Sequence, residues 1–322
     1  MSSSTVTNAP PGQRNPTLGL IYAVAGAAVV STNFITGKYG LGGKDVSAGF
    51  NSGTFSLVWC TAAAVYCFIA CASRGRRNLA LPLRLVLPMV LLGAFTGIGM
   101  LVGWEGLKLL NESFASFLYR FGPVFAILVG AIVLKEKLSA LEIVCLMIMV
   151  AGGCLATIGQ WKVVGTGVVL VMLSCAAAAV QHLIAKVYSR AIGTSTLVFY
   201  RASIGALTVA LWLMVRGGAD FDVPARYWAV TLLGALLGPC IGYLLTWRAF
   251  RYWDLARSGI VWTAQPLFVL PMAWLAFGRL AQPQELAGGA VILAGAAVLA
   301  WVHLRHATRG PVPQPGDIST GE

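Results

Sequence analysis

The amino-acid sequence predicts an all-α membrane protein whose ten transmembrane helices form two inverted five-helix repeats. Three observations support this prediction. AVILMFWYC residues make up 58% of the 322-residue chain and charged residues only 11%, whereas soluble domains contain about 25% charged residues. Apolar stretches of about 20 residues, long enough to cross a bilayer as a helix, recur along the chain. The two halves also share a sequence motif. This composition excludes a soluble two-domain enzyme.

Apolar stretches separated by charged or Gly- and Pro-rich turns define the predicted spans. They cover residues 18–38, 48–72, 85–106, 111–134, 141–159, 165–187, 194–215, 227–248, 255–277 and 285–304. The first repeat is predicted at 18–159, a linker at 160–164 and the second repeat at 165–304. The polar ends, 1–17 and 305–322, have too little apolar surface to bury, so we expect two disordered cytoplasmic tails.

The basic residues indicate the orientation. The chain has 23 Lys and Arg against 11 Asp and Glu, a formal net charge of +12. In a soluble protein this excess would favour a nucleic-acid partner, but the sequence leaves no room for a folded basic domain. With the amino terminus inside, the inner segments hold about twice as many Lys and Arg as the outer ones. We expect no nucleic-acid partner, and a multi-pass protein of a bacterial-type inner (plasma) membrane with both termini in the cytoplasm.

A duplicated motif relates the two halves. Residues 104–138, WEGLKLLNESFASFLYRFGPVFAILVGAIVLKEKL, align with residues 247–281, WRAFRYWDLARSGIVWTAQPLFVLPMAWLAFGRLA. At a constant offset of 143, Trp104 is aligned with Trp247 and Pro123 with Pro266. Each half contains five predicted spans, an odd number, so the second half must enter the membrane in the opposite direction. The repeat is therefore predicted to be inverted.

This motif resembles that of the EamA-type branch of the drug/metabolite transporter superfamily. The family ends each half with an Ala-Leu-Lys-Tyr segment, small residues, a polar and aromatic turn, a Pro and a Leu-Gly-Glu-Arg-Leu tail. Residues 106–139 carry this pattern, and the resemblance extends over about residues 18–304. The second half departs from it at Arg279, because the Glu present as Glu136 in the first half has no match. The resemblance implies a secondary transporter that exports small metabolites such as amino acids.

Two arginines lie at depths where a charge is costly in a bilayer. Arg120 lies nine residues past Asn111 and Arg201 seven residues past Thr194, about 13 and 10 Å along a helix. Such an Arg faces water, a cavity or a partner group. A guanidinium in a cavity would bind a substrate carboxylate or phosphate through paired donors. The alternative is a structural pair with an acid or a carbonyl oxygen of another helix.

The two matched prolines are predicted to border the substrate cavity. Pro123 and Pro266 each free a carbonyl one turn upstream, which a membrane protein tolerates where the backbone faces a cavity. Tyr119, Trp262 and Gln265 lie beside them and would supply aromatic walls with a few polar groups. The alternative is a packing kink with interfacial aromatic residues.

Two further polar residues complete the predicted cavity. The sequence also contains two lysines for which it allows two roles. Asn33 needs a partner, either substrate or helix. His182 either exchanges a coupling proton or is hydrogen-bonded structure. Lys38 and Lys186 end the first helix of each half, and they fit either the mouth of the cavity or an anchor that reaches the interface.

The absence of nucleotide and metal motifs limits the possible functions. No Gly-x4-Gly-Lys-Ser/Thr loop occurs, so transport would be driven by a gradient or by exchange, with a proton as the candidate coupling ion. All seven cysteines lie in apolar stretches, and we expect no cofactor, metal or disulfide. We expect a monomer or a weak homodimer.

The leading hypothesis is an exporter that works by alternating access on a small-molecule substrate. The substrates would be amino acids, aromatic ones included, or other carboxylate-bearing compounds. Efflux of amphipathic drugs by the same fold is the alternative. A passive scramblase or channel also remains, as does an intramembrane enzyme in which Ser174 would hydrogen-bond to His182.

Overall fold

A computed structural model describes residues 16–43, 48–72, 81–122, 124–125, 140–158, 161–188, 192–250, 252, 261–278 and 281–307. Every regular element in these residues is helical. The α-helices are α1 Pro16–Gly40, α2 Ser52–Ala72, α3 Val86–Leu109, α4 Glu112–Leu118, α5 Ala140–Thr157, α6 Trp161–Tyr188, α7 Thr194–Arg216, α8 Ala225–Ala249, α9 Gln265–Phe277 and α10 Pro283–Ala307. The predicted all-α class is confirmed.

Six of the described helices are long and apolar enough to cross a membrane, namely α1, α2, α3, α6, α7 and α8. Helices α5, α9 and α10 contain shorter apolar stretches. Each predicted span overlaps a described helix. Parts of the fourth and ninth spans, 126–134 and 255–260, lie outside the described residues, as does most of each predicted tail. Large apolar side chains such as Met214 and Val215 are 81% and 91% exposed, as expected of surfaces that face lipid. The predicted number of ten crossings remains a prediction.

The segment 160–164, predicted as a linker between the repeats, lies mostly in the first turn of a helix. Helix α6 begins at Trp161, so most of this segment is helical. The indole of Trp161 lies over Gly165 one turn later, at 3.0 Å from the position that a Cβ would take. This contact within one turn favours the helical start of α6.

Helix α1 packs antiparallel against α8. Asn33 of α1 lies against Gly238 of α8, and Thr36, one turn further along α1, lies against Gly234, one turn earlier in α8. A Cβ added to Gly238 would overlap the Asn33 amide. Bare glycine backbone therefore allows the two helices to approach closely. We call this pair the α1/α8 block.

Helix α3 packs in the same way against α6. Gly99 faces Ala177, whereas Gly106, two turns later in α3, faces Val171, earlier in α6. The two helices are therefore antiparallel, and we call them the α3/α6 block. Their arrangement corresponds to that of the α1/α8 block with the halves exchanged, because it joins the third helix of one half to the first helix of the other.

The two blocks are aligned so that α1 runs parallel to α3 and antiparallel to both α6 and α8. The end of α1 contacts the end of α3, since Lys38 hydrogen-bonds to the carbonyl of Leu107. The end of α6 contacts the end of α8, since Lys186 hydrogen-bonds to the carbonyl of Phe250. The first helices of the two halves thus run in opposite directions, as the proposed inverted repeat requires.

A π-helical segment interrupts α8 at Leu236–Gly242 and contains Pro239. Proline lacks a backbone N–H, so a regular α-helical hydrogen-bond ladder cannot pass through it. The wider π turn accommodates this break, and π segments inside α-helices often accompany functional sites. It lies directly before Tyr243, which belongs to the site described below.

Further extensive interfaces join α2 and α3 to α7, and α5 to α10. The α5–α10 crossing depends on two glycines. A Cβ on Gly152 would lie 2.8 Å from the carbonyl oxygen of Gly288 and 2.9 Å from the backbone nitrogen of Ile292. Backbone atoms cannot rotate away as side-chain atoms can, so this crossing tolerates no larger residue without a shift of the helices.

We expect Gly152→Ala to destabilise the protein by about 1–3 kcal/mol, because the added methyl group overpacks a backbone crossing. Gly153→Ala is the matched control, since a Cβ at Gly153 meets no atom within 4 Å and alanine favours helix by about 1 kcal/mol. Thermal unfolding in detergent measures both variants. Equal unfolding temperatures would contradict the tight α5–α10 crossing.

Candidate functional site

Both matched segments interrupt their helices just before the aligned prolines. Helix α4 ends at Leu118, and the 3-10 turn Tyr119–Phe121 follows it. In the second half Ala264 forms a turn before α9, and Pro266 lies buried in the first turn of α9, where its missing N–H costs no hydrogen bond. Pro123 lies outside the described residues. The interrupted backbone leaves carbonyl groups that need donors.

Arg120 supplies donors to this interrupted backbone. Its Nε donates to the carbonyl of Ser116 at 3.2 Å, and its Nη2 donates to Oε1 of Gln265 at 2.6 Å. Its Nη1 donates to the carbonyl of Trp262. The side chain is only 6% exposed. Arg120 therefore ties α4 to the segment that enters α9, and its contacts are those of the structural alternative.

Tyr119 is held on the other side of α4. Its hydroxyl lies 3.1 Å from Oγ of Ser174, and its ring packs edge-on against Phe34 at 5.4 Å between centroids. Ser174 also donates to the carbonyl of Gly99 at 2.8 Å. Ser174 is thus engaged with α3 and α4, and among the described residues it makes no hydrogen bond to His182. The arrangement that the enzyme alternative required is not formed there.

Arg201 has a different environment, because its guanidinium lies beside two aromatic side chains. It is 2% exposed, and its Nε donates to Oε1 of Gln181 at 3.1 Å. Its guanidinium carbon lies 3.8 Å from the centroid of the Tyr243 ring and 5.9 Å from that of Trp247, which is cation–π geometry. Its Nη1 is buried and has no hydrogen-bond partner in the part of the chain that the structure describes. This guanidinium keeps donors available.

His182 connects the two arginine environments. Its ring is stacked with that of Tyr243, at 6.2 Å between centroids and an interplanar angle of 6°. It also packs against the ring of Trp262 in a tilted arrangement, at 4.8 Å between centroids and an angle of 44°. His182 Nδ1 and Trp262 Nε1 are buried and find no hydrogen-bond partner within the described ranges. Arg201, Tyr243, His182 and Trp262 thus form a continuous row, which we call the arginine–aromatic row. It ends at Arg120, because the Trp262 carbonyl accepts from that guanidinium.

Asn33 lies apart from this row. It is packed on Gly238 of α8, and its buried Oδ1 has no hydrogen-bond partner among the residues described. Of the residues predicted to line the cavity, the structure joins Arg120, Trp262 and Gln265 by direct contacts and links His182 to them. Arg201 joins through Tyr243, Tyr119 lies on the adjacent face of α4, and Asn33 contacts α8.

Sequence reasoning missed Tyr243 and Gln181 as members of this site. Gln181 accepts from both Arg201 and, at 2.8 Å, the hydroxyl of Thr96, so it fixes the position of the Arg201 guanidinium. Both residues are polar groups within apolar stretches, and that signal could have identified them. Their pairing with Arg201 could not be inferred, because it depends on how α6, α7 and α8 meet.

The electrostatic balance of the site is positive. No described carboxylate pairs with Arg120 or Arg201, and the described His, Cys, Asp and Glu residues form no group of three that could hold a metal ion. Among the described residues, the acceptors that stabilise the Arg120 charge are two backbone carbonyls and the side-chain amide of Gln265. A buried cation without a counter-ion is costly in a membrane. An anionic group bound beside Arg201 would lower that cost.

Comparisons with known proteins agree with this architecture. The model of the EamA-like transporter family matches residues 17–158 and 165–301. A probable terminal-alkyne amino-acid exporter of Streptantibioticus cattleyicolor is 27% identical over 253 residues, which cover 77% of this chain and 83% of that protein. A crystal structure of another protein superposes over 90% of this chain and 98% of its own, with a TM-score of 0.63 at 16% identity. That structural likeness concerns the fold alone.

We expect Arg120 and Gln265 to be energetically coupled. In a double-mutant cycle of Arg120→Met and Gln265→Leu, the coupling energy should be about 1–3 kcal/mol, because a hydrogen bond to a charged group contributes about that much. Thermal or denaturant unfolding in detergent gives the four stabilities. Pairing Arg120→Met with Thr208→Val, whose hydroxyl donates to the Ile204 carbonyl of its own helix, should give additive effects. Additivity for the Gln265 pair would contradict the structural role of Arg120.

Proposed function

The chain belongs to the EamA-like transporter family, and we propose that it exports amino acids or other carboxylate-bearing metabolites by alternating access. Membership of the family, whose model matches two long segments of the chain, makes it a membrane transporter. The exporter named for its relative supports amino acids as the substrate class. We infer the substrate class from the hydrogen-bond donors and aromatic faces of the arginine–aromatic row.

The observation that carries the proposal is the Nη1 of Arg201, which has no hydrogen-bond partner among the described residues. The nitrogen is buried, and leaving a charged donor unsatisfied in a low-dielectric environment costs more than a typical hydrogen bond contributes. A carboxylate is the group that fits a guanidinium best, because it accepts two parallel N–H bonds. The neighbouring Trp262 Nε1 is a further donor, and the ring faces of Tyr243 and His182 would contact the substrate side chain.

Arg120 has a separate part in this proposal. Its three kinds of nitrogen already have acceptors, so a substrate carboxylate would have to displace existing bonds. We assign it the role of holding Trp262 and Gln265 in position at the start of α9. The substrate would be anchored at Arg201, and the fixed position of Trp262 would close the other end of the row.

The packing of the two blocks supports alternating access. Glycine-rich contacts hold α1 to α8 and α3 to α6, so each pair can move as a unit while the two pairs rock against each other. We propose an inner-membrane location with both termini in the cytoplasm, as the distribution of Lys and Arg favours. The driving force would be an ion gradient, with a proton as the candidate, or exchange.

The test is transport by the purified full-length chain in lipid vesicles. With a panel of labelled amino acids as substrates, Arg201→Lys should raise KM by about 10- to 100-fold for every transported amino acid, because lysine lacks the paired donors of the guanidinium. Uptake and counterflow measure this change. Dissipating the proton gradient in the same vesicles separates proton coupling from exchange.

Arg216→Lys is the control, because Arg216 lies exposed at the end of the same helix and should leave KM unchanged. Amino-acid methyl esters, which lack the carboxylate, should be transported poorly by the wild-type chain and no worse by Arg201→Lys. Amino-acid transport with an unchanged KM in Arg201→Lys would refute the carboxylate site. Transport of amphipathic cations without transport of amino acids would instead favour drug efflux.

A further inference from the structure

His182 carries a buried ring nitrogen that has no role in the carboxylate site at Arg201. Its Nδ1 is shielded from solvent and has no hydrogen-bond partner in the part of the chain that the structure describes. The ring lies between those of Tyr243 and Trp262. Burying a polar atom without a partner costs free energy. Such a nitrogen inside the arginine–aromatic row indicates that a group of the ligand completes it.

The charge state of His182 decides which ligand group is needed. The positive charge of Arg201 acts on the ring, and both side chains contact Tyr243. A second buried cation there would be costly, so the ring is a neutral imidazole with one donor and one acceptor nitrogen. The proton stays on the nitrogen that has a partner or water, and Nε2 is not among the described buried atoms that lack one. Nδ1 is therefore the acceptor.

Three nitrogens of the arginine–aromatic row have no partner among the described residues, and they differ in kind. Arg201 Nη1 and Trp262 Nε1 are donors, whereas His182 Nδ1 is an acceptor. A simple carboxylate would satisfy donors alone and leave the acceptor buried without a partner. An α-amino acid brings a carboxylate for the donors and an ammonium group for the acceptor. It therefore matches the row better than a carboxylic acid without a nitrogen.

The spacing of Arg201 and His182 suits such a molecule. The guanidinium carbon lies 3.8 Å from the centroid of the Tyr243 ring, and the His182 centroid lies 6.2 Å from the same point. The two groups are thus separated by no more than the sum of these distances. The nitrogen and the carboxylate oxygens of an α-amino acid are about 3 Å apart, and a hydrogen bond at each end adds about 3 Å. One amino acid therefore spans a gap of this order.

Trp262 supplies an aromatic face beside the acceptor. Its ring centroid lies 4.8 Å from that of His182, and Phe250 packs against the indole at 5.5 Å between centroids. An aromatic face stabilises a neighbouring ammonium group through a cation–π interaction. The ammonium group of the substrate would thus meet a neutral acceptor and an aromatic face.

We propose that His182 selects amino acids over simple carboxylic acids, because its Nδ1 accepts a hydrogen bond from the ammonium group of the substrate. Arg201 binds the carboxylate of the same molecule, and Trp262 covers its ammonium group. This inference rests on the proposed function, since it takes the carboxylate site at Arg201 as given. It adds a second point of recognition, which disfavours substrates that lack a donor nitrogen.

Competition during counterflow by the full-length protein in lipid vesicles tests this role. Each amino acid that the wild type transports is compared with its deamino analogue, the same carboxylic acid with hydrogen in place of the ammonium group. The KM of the amino acid should be about 10- to 100-fold lower than the inhibition constant of the analogue, because a hydrogen bond from a charged group is missing. His182→Phe, which keeps an aromatic ring at this position, should raise that KM by a similar factor. It should leave the inhibition constant of the analogue unchanged.

His182→Asn is the conservative variant, since its Oδ1 offers an acceptor close to the position of Nδ1. It should restore the KM of the amino acid to near the wild-type value. Leu183→Met is the matched control, because Leu183 is the next residue of α6 and is 36% exposed. It should change neither constant.

Equal weakening of the amino acid and its analogue by His182→Phe would overturn the proposal and leave His182 as a packing residue or a donor to the carboxylate. Equal affinity of the wild type for the two compounds would also overturn it, even if His182→Phe does not fold. Weakening of both compounds by Arg201→Lys, without an effect of His182→Phe, would refute the role of His182 and keep the carboxylate site. If the wild type transports no amino acid, the proposed function fails as well.

Discussion

The structure depends on one constraint, which is that backbone carbonyl groups released inside a bilayer must find donors within the protein. The helices α3, α4 and α8 all end or break where such carbonyls appear. Three cations supply donors, two of them buried and one half-buried. Lys38 donates to carbonyls at the end of α3 and Lys186 to one at the end of α8. Arg120 donates to carbonyls of α4 and of the segment that precedes α9. A lysine or arginine that would be costly as an isolated charge thus becomes a structural group at each break.

The same constraint explains why the two deep arginines differ. Arg120 lies where the helical backbone is interrupted, so its guanidinium donates hydrogen bonds to carbonyl and amide acceptors. Arg201 lies within the regular helix α7, where the backbone groups bond to one another and offer it no acceptors. Its described contacts include the side-chain amide of Gln181 and the ring faces of Tyr243 and Trp247. A cation that is solvated by aromatic faces and one amide retains capacity for an anionic ligand.

The glycine contacts determine which helices pack closely enough to move together as pairs. Where Gly238 meets Asn33 and Gly99 faces Ala177, backbone and side chain are in direct contact, and such surfaces favour motion of whole helix pairs over bending within a pair. The lysine contacts and the arginine–aromatic row instead connect one pair to the other. Because each helix pair is closely packed internally, the polar contacts between the two pairs are the ones that can break and re-form during transport.

The sequence by itself determined the membrane class, the position of most helices and the duplication of the motif, because apolar length and composition act locally along the chain. It also placed Arg120, Trp262 and Gln265 in the same site, since the repeat aligned the two segments to which they belong. Only the tertiary structure decided which donors were already occupied. Arg120 meets Trp262 across 142 positions and Lys38 meets Leu107 across 69, and no local pattern specifies partners so distant. The contacts of Lys38, Lys186 and Tyr243 therefore depend on how the helices pack. The apolar pattern does not specify that packing, because an apolar side chain can face either lipid or a neighbouring helix.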